Sequence, residues 1–393
     1  MMNSIVPAAL EFYAPISSAI DGTMGTNRAH NPSTLLQADN DLDAIKAWLA
    51  QYIDSPNTFN SYRKEAERLL LWANLEANKA ISSLTHEDLL RYQYFLQDPQ
   101  PAATWILKNG SKVARSHPDW RPFVGPLSTS STRQALAVLN SLFTWLVSAG
   151  YLAANPLAVL RGARIAPPKR MQRYLDMDLW EQVKTCIAQL PQDTEREREH
   201  YYRYRWLFSL LYLCGLRVSE LSQNRMGALF SRRDRHGALR WWMDITGKGQ
   251  KTRTVPVTSE LMDELATYRT FKGLPPYPMA NEDLPLILPI GSVQNKPLTR
   301  AAIHLIVKRI FTDTAARLRA QGPEFESEAQ HVEEASTHWL RHTAGTHMLE
   351  QDMDLLHVRD TLGHESINTT NRYLHTADDA RHDATEDKHK IKW

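Results

Sequence analysis

Two adjacent prolines, Pro167-Pro168, constrain this chain more than any other feature. Proline fixes its own φ and has no backbone N–H, so the pair excludes a helix and stiffens an extended segment. Around it, between Arg161 and Arg173, lie five basic residues: Arg161, Arg164, Lys169, Arg170 and Arg173. The chain on either side is patterned mainly for helices. At 393 residues it is also long for one core, given a typical domain of roughly 150 residues. The prolines therefore predict a basic linker over 163–174. It would join a helical domain at 39–162 to a larger domain at 175–376, with a flexible arm at 1–38 and a charged tail at 377–393.

The N-terminal half is patterned as a small all-helical domain. Ile45, Trp48, Leu49 and Tyr52 recur at helical spacing before Ser55-Pro56-Asn57 breaks the chain. Phe59, Tyr62, Ala66, Leu69, Leu70 and Ala73 then mark a second helical face. Thr85 with Asp88 resembles a capping box ahead of Leu89, Tyr92 and Phe95. A fourth helix carries Leu136, Leu139, Leu142, Phe143 and Leu146 and stops at Gly150. Residues 98–130 are rich in Pro, Ser and Trp and read as a surface loop. Its Lys108, Lys112, Arg115 and Arg121 suit either a solvated face or contacts to a phosphate backbone.

The C-terminal half is helical with one exception. LRWWMDIT (239–246) and TRTVPV (252–257) read as strands around the turn Gly247-Lys248-Gly249-Gln250. Prolines at 271–290 and polar, acidic residues at 320–336 predict loops. The expected fold is mainly α in two domains, the second carrying a small β-hairpin or sheet.

Composition excludes several classes. With 42% apolar and 23% charged residues the chain is ordinary for a globular protein. No apolar run approaches a membrane span, and the N-terminus lacks a basic-then-apolar signal. Cys186 and Cys214 have no metal-ligand spacing and fit core positions in a reducing compartment. A cytoplasmic protein with no membrane partner is expected. Net charge is only +2, so any nucleic-acid reading must rest on where the basic residues lie.

Three segments carry candidate chemistry. WLFSLLYLCGLRVSEL (206–221) is an apolar helix broken at Gly215, with Arg217 emerging at once and Glu220 three residues on. An arginine in such a setting is costly unless it meets an anion, and Glu220 can hold its guanidinium in place. By itself an Arg217–Glu220 ion pair at a helix start explains the pattern as well. STHWLRHTAGTHML (336–349) reads as an amphipathic helix started by Ser336 or Thr337. His338 and Arg341 project from one face, and Leu340, Ala344 and Met348 pack inside. His338 and His342, four apart, raise a metal reading. The zincin pattern needs Glu directly after the first His, and here stands Trp339. In MDLLHVRDTLGH (353–364), Leu355, Val358 and Leu362 form a buried stripe and Gly363 stops the helix. His364 is thereby held at a helix end, and Tyr373 falls in the first turns of the next helix.

CGLRVSEL, GKGQKTR, HWLRHTAGTHML and LGHESINTTNRYLH, in that order, resemble the tyrosine recombinase (phage integrase) family across nearly all of 175–376. The domain at 40–160 is similar to that family's core-binding domain, with weaker motifs. The resemblance implies a two-domain DNA clamp and a catalytic set of Arg217, Lys248, His338, Arg341, His364 and the nucleophile Tyr373. Lys251 is a less fitting choice for the lysine than Lys248 in the GKG turn. Glu220 would be a supporting residue. The long loops at 98–130 and 320–336 depart from the family pattern. The basic residues of the linker, and on one of two readings those of the 98–130 loop, are candidates for contact with the DNA backbone.

A tyrosine hydroxyl titrates near 10, so it needs cations around the scissile phosphate to act as a nucleophile. Arg217 and Arg341 are the natural clamps on the non-bridging oxygens. Lys248 is placed to protonate the leaving 5′ oxygen, and His338 and His364 to orient the phosphate and move the tyrosine proton. The product is a 3′-phosphotyrosyl link with a free 5′ hydroxyl, and this chemistry asks for no metal, ATP or other cofactor. The resemblance also implies a homotetramer on two double-stranded DNA sites and a Holliday junction, with room for accessory proteins. The extended N-terminal arm points to service to a mobile element, with integration, resolution, cassette exchange and chromosome dimer resolution all open as the task. Two rivals stand beside this reading. A type IB topoisomerase-like enzyme shares the tyrosine chemistry but needs no partner site. A non-cleaving DNA-binding accessory protein predicts a lost tyrosine or arginine, and none of the six positions is substituted.

Overall fold

Helix boundaries in this protein follow from local capping chemistry. The computed structural model describes residues 7–13, 17, 19–29, 35–110, 113–159, 173–247, 252–291 and 295–363. The chain divides into two compact units, Met1–Ala166 and Pro167–Trp393. Within the first, α1 (Asp41–Ala50) is capped by Asn40, whose side chain accepts from the backbone N–H of Asp43. Pro56 occupies the first turn of α2 (Pro56–Leu75), where its missing N–H costs nothing. The Thr85–Asp88 capping box opens α3 (His86–Gln97). A short α4 (Ala102–Trp105) precedes α5 (Thr129–Ser148), after which Gly150 turns the chain with φ +73°. Trp48, Leu69, Leu89, Tyr92, Trp105, Phe123, Leu139 and Phe143 fill the core between them.

The expected flexible arm is corrected for its described residues. Ala9 and Leu10 are buried in the core of the first unit, and the Leu10 N–H donates to Glu67 at 2.8 Å. Backbone bonds tie Asn27 and Ala29 to Ala153 and Tyr151, while the Arg28 guanidinium lies 3.9 Å from the Tyr151 ring centroid. Such a segment lacks periodicity because it packs as irregular chain; its order comes from partners far along the sequence.

The second unit begins with α6 (Met177–Ala188), α7 (Glu195–Leu213) and α8 (Val218–Gln223). Three antiparallel strands follow in the order β1 (Leu229–Arg233), β2 (Leu239–Thr246), β3 (Thr252–Val257). β1 was not among the expected strands: LFSRR is short and polar, and its pairing with β2 defines it. Met243 pairs with Val255, and both are buried. Pro256 is tolerated because β3 is an edge strand. Next come α9 (Ser259–Phe271), α10 (Arg300–Gln321), α11 (Glu326–Glu334), α12 (Thr337–Glu350) and α13 (Leu355–Leu362). The core gathers around α7, whose Trp206 Nε1 donates to the Leu286 carbonyl at 2.6 Å.

The loop expected at 320–336 is corrected as well. α10 runs to Gln321 and α11 fills most of the rest. Ala329 and Val332, three apart, are the buried face of α11, while Arg319 bridges Glu326 and Glu333 on the outside. Only two apolar residues mark this helix, too few for a periodic signal among so many carboxylates. Cys186 and Cys214 are free and buried. No described helix is long and apolar enough to cross a membrane.

Candidate active site

Two backbone turns organise the site. At the first, Gly215 adopts φ +56° and releases the chain from α7, so that Arg217 becomes the residue capping α8. At the second, Gly363 ends α13 in the left-handed region with φ +61°. A side chain at Gly215 would strike Leu362, and one at Gly363 would strike Arg253. Both positions thus need glycine for conformation and for close approach.

The arginines lock onto these turns. Arg341, on α12, is 3% exposed, and its guanidinium donates to the carbonyls of Gly215 and Leu362. Arg217 donates from Nη2 to the Gly363 carbonyl at 3.2 Å and from Nη1 to Glu220 at 2.7 Å. Its side chain remains 41% exposed. The two arginines therefore converge on the Leu362-Gly363 turn, which leads straight into His364. His338 lies one turn before Arg341 on α12, with its Nε2 2.9 Å from Nε2 of His342. Partial desolvation, then the cations Arg341, Arg173 and Arg217, hold the His338 pKa below its ordinary value. A neutral imidazole suits a group that accepts a proton.

Glu220 is 1% exposed and sits among cations. Burial pushes its pKa up, but Arg253 first and Arg217 second more than offset this and hold it at about 2. Arg253 takes both carboxylate oxygens, from Nη1 at 2.7 Å and Nη2 at 3.0 Å, and its Nε reaches the Thr361 carbonyl at 3.3 Å. Sequence reasoning passed over Arg253, yet the signal was there. Period-two alternation in TRTVPV puts Arg253 on the same side as the buried Val255 and Val257. An inward-facing cation needs a partner.

Several predicted residues lie outside the described residues: Lys248 and Lys251 in the β2–β3 turn, His364 and Tyr373, and the basic residues Lys112, Arg161, Arg164, Lys169 and Arg170. The strands flanking the turn are paired up to Thr246 and Thr252. Of the remaining basic residues, Lys108 and Arg173 are exposed, and Arg173 is near enough to act on His338. Arg115 departs from its expected role. It is ion-paired with Glu11 and Glu67, so its charge is matched inside the first unit. Arg121 donates to the carbonyls of Pro118 and Trp120. Both side chains fasten the 98–130 loop, a use that composition does not distinguish from phosphate contact.

Comparison with known proteins identifies the family and the fold. The phage integrase family model matches residues 181–380. Tyrosine recombinase XerC of Xylella fastidiosa (strain M23) is 27% identical over 321 residues, covering 82% of this chain and 86% of the relative. A tyrosine recombinase of Pseudothermotoga lettingae is 30% identical over 260 residues, covering 66% and 74%. Among solved structures, the XerH site-specific recombinase bound to palindromic difH substrate in a post-cleavage complex aligns with TM-score 0.58. That alignment has 17% identity over 90% of this chain and 86% of the other. The Tn1549 transposon integrase in complex with transposon right end DNA aligns with TM-score 0.55 at 15% identity, over 88% and 99%. At these identities the two structures speak to the fold.

Proposed function

The chain belongs to the phage integrase family and is a tyrosine-type site-specific recombinase; from that premise we propose that Tyr373 is its nucleophile and Arg217, Lys248, His338, Arg341 and His364 its catalytic set. The observation that carries this assignment is the convergence of Arg217 and Arg341 on the turn immediately before His364. Both are fixed by backbone carbonyls before any DNA arrives, so little reorganisation is needed when charge develops on the phosphate.

In the first step the Tyr373 oxygen attacks the scissile phosphorus and the bond to the 5′ oxygen breaks. The tyrosine proton passes to the His338 and His364 side, and Lys248 gives a proton to the departing 5′ oxygen. The resulting 3′-phosphotyrosine keeps the energy of the broken ester. A 5′ hydroxyl from a second duplex then reverses the attack and releases Tyr373. Two rounds of exchange pass through a Holliday junction, which calls for four protomers on two DNA sites. The partner is double-stranded DNA. Arg173 and Lys108 are proposed backbone contacts, as are Arg161, Arg164, Lys169 and Arg170 in sequence terms. Service to a mobile element and a need for accessory proteins are part of the same proposal.

The assignment is tested by trapping on nicked DNA that carries the recombination site, in EDTA. Wild type is expected to form a covalent protein–DNA band, and Tyr373→Phe to bind without one. A band that persists in Tyr373→Phe would show that another residue is the nucleophile. Specific binding with no band from wild type would favour a non-cleaving accessory role.

A further inference from the structure

We infer that Arg253 is a positioning residue for strand cleavage: it holds the buried Glu220 carboxylate in a two-cation cradle, so that Glu220 orients Arg217 without cancelling its charge. This rests on the reading of Arg217 as a phosphate clamp.

A carboxylate three residues after an arginine can fix that arginine's position, but a one-to-one pair is electrically neutral. Such a pair presents a weak field to a phosphate. Here Glu220 accepts from two guanidiniums. Arg217 makes a single side-chain bond to Oε1, at 2.7 Å, and bonds Oε2 through its backbone N–H at 2.8 Å. Arg253 binds both oxygens through its fork, the strongest geometry available to a carboxylate. The three residues together carry a surplus of one positive charge. The exposures say where that surplus lies. Arg253 is 16% exposed and Arg217 41%, over a carboxylate that is 1% exposed. The inner cation satisfies the carboxylate, and the outer one faces solvent.

Arg253 also ties β3 to α8 and to the end of α13. It stands second in β3, directly after the turn that carries Lys248. Its Nε bonds the Thr361 carbonyl near the end of α13, and its Cδ and guanidinium base fill the space that a side chain at Gly363 would need. Removing it should therefore loosen the link between β3, the Arg217 cap and the turn at Gly363.

The decisive measurement is the single-turnover rate of covalent complex formation on the nicked substrate, alongside DNA affinity and a thermal melt. Arg253→Gln is expected to slow cleavage by about 10-fold to 100-fold at unchanged affinity, the scale of loss when partners that orient metal-ligating side chains are removed. The pair Glu220→Gln with Arg253→Gln should cleave faster than Arg253→Gln alone, because removing the carboxylate restores the surplus charge. Arg253→Lys, which keeps the charge and loses the fork, should recover most of the rate. The inference is overturned if Arg253→Gln cleaves at the wild-type rate while Arg217→Gln is slow. It is overturned equally if the double variant is slower than the single one, or if Arg253→Lys is as slow as Arg253→Gln. A wild-type rate in Arg217→Gln would instead remove the premise about Arg217, and the inference with it.

Discussion

The two units of this protein use the same ion-pair chemistry in opposite ways. In the first, Arg63 and Arg115 meet Glu11 and Glu67, so cations and carboxylates are balanced two against two. In the second, Arg217 and Arg253 share the single carboxylate of Glu220. The balanced cluster fastens an irregular N-terminal segment and the 98–130 loop onto α2. The unbalanced cluster leaves positive charge in excess beside a half-exposed guanidinium. Counting arginines would rank the clusters alike. What separates them is the ratio of cations to carboxylates and the direction in which the unmatched charge faces.

That contrast can be broken in several places. The largest effect is expected for Arg217→Ala, which should lower the single-turnover cleavage rate by about 100-fold to 1,000-fold while DNA binding persists. Arg115→Ala should leave the cleavage rate of the folded protein unchanged. If Arg115→Ala matched Arg217→Ala in cleavage assays, the division of roles between the clusters would be wrong.

Stability against pH gives the next effect. The folded pKa of Glu220, about 2, lies below its ordinary value of 4.5. Its contribution is therefore complete above about pH 5 and is lost as pH falls toward 2, with a size on the order of 3 kcal/mol. Melting temperatures measured down this range should drop more steeply for wild type than for Glu220→Gln. Parallel curves would mean that the cradle around Glu220 adds no stability.

Arg115→Ala comes next. It leaves the Glu67 carboxylate, whose side chain is 2% exposed, without its main partner. A loss of about 2 kcal/mol is expected by denaturant unfolding, below the roughly 3–5 kcal/mol of a broken, fully buried pair because Arg115 is partly exposed. The smallest effect is expected for Arg121→Ala, within about 0.5 kcal/mol in stability, since its bonds run to carbonyls near the surface. A clear weakening of DNA binding in Arg121→Ala, with a shallower dependence on salt, would return this residue to phosphate contact.

Legibility in the sequence followed the range of the interactions involved. Helix starts at Thr85 and Ser336, the stop at Gly363 and the paired strands at 239–246 and 252–257 are local matters. Each depends on residues within a turn or two, so pattern alone locates them. Arg217, His338 and Arg341 are proposed from order and spacing as well, since these carry the family resemblance. Less legible was whatever depended on contacts across the chain. Leu10 finds Glu67 across 57 positions, and Arg115 finds Glu11 across 104. β1 exists by virtue of β2, and α11 by virtue of α10.

By itself the sequence determined the family, the mainly helical two-part plan and the residue types available for phosphodiester chemistry, because capping, periodicity and motif spacing are properties of neighbours. Only the tertiary structure decided which cations are matched and which are left over. Strand alternation marks Arg253 as inward-facing, but nothing local to Arg115 or Arg253 says which carboxylates each one meets. Their difference arises because the fold brings two carboxylates to one and makes the other share its carboxylate with Arg217, and charge balance exists only among groups that meet in space.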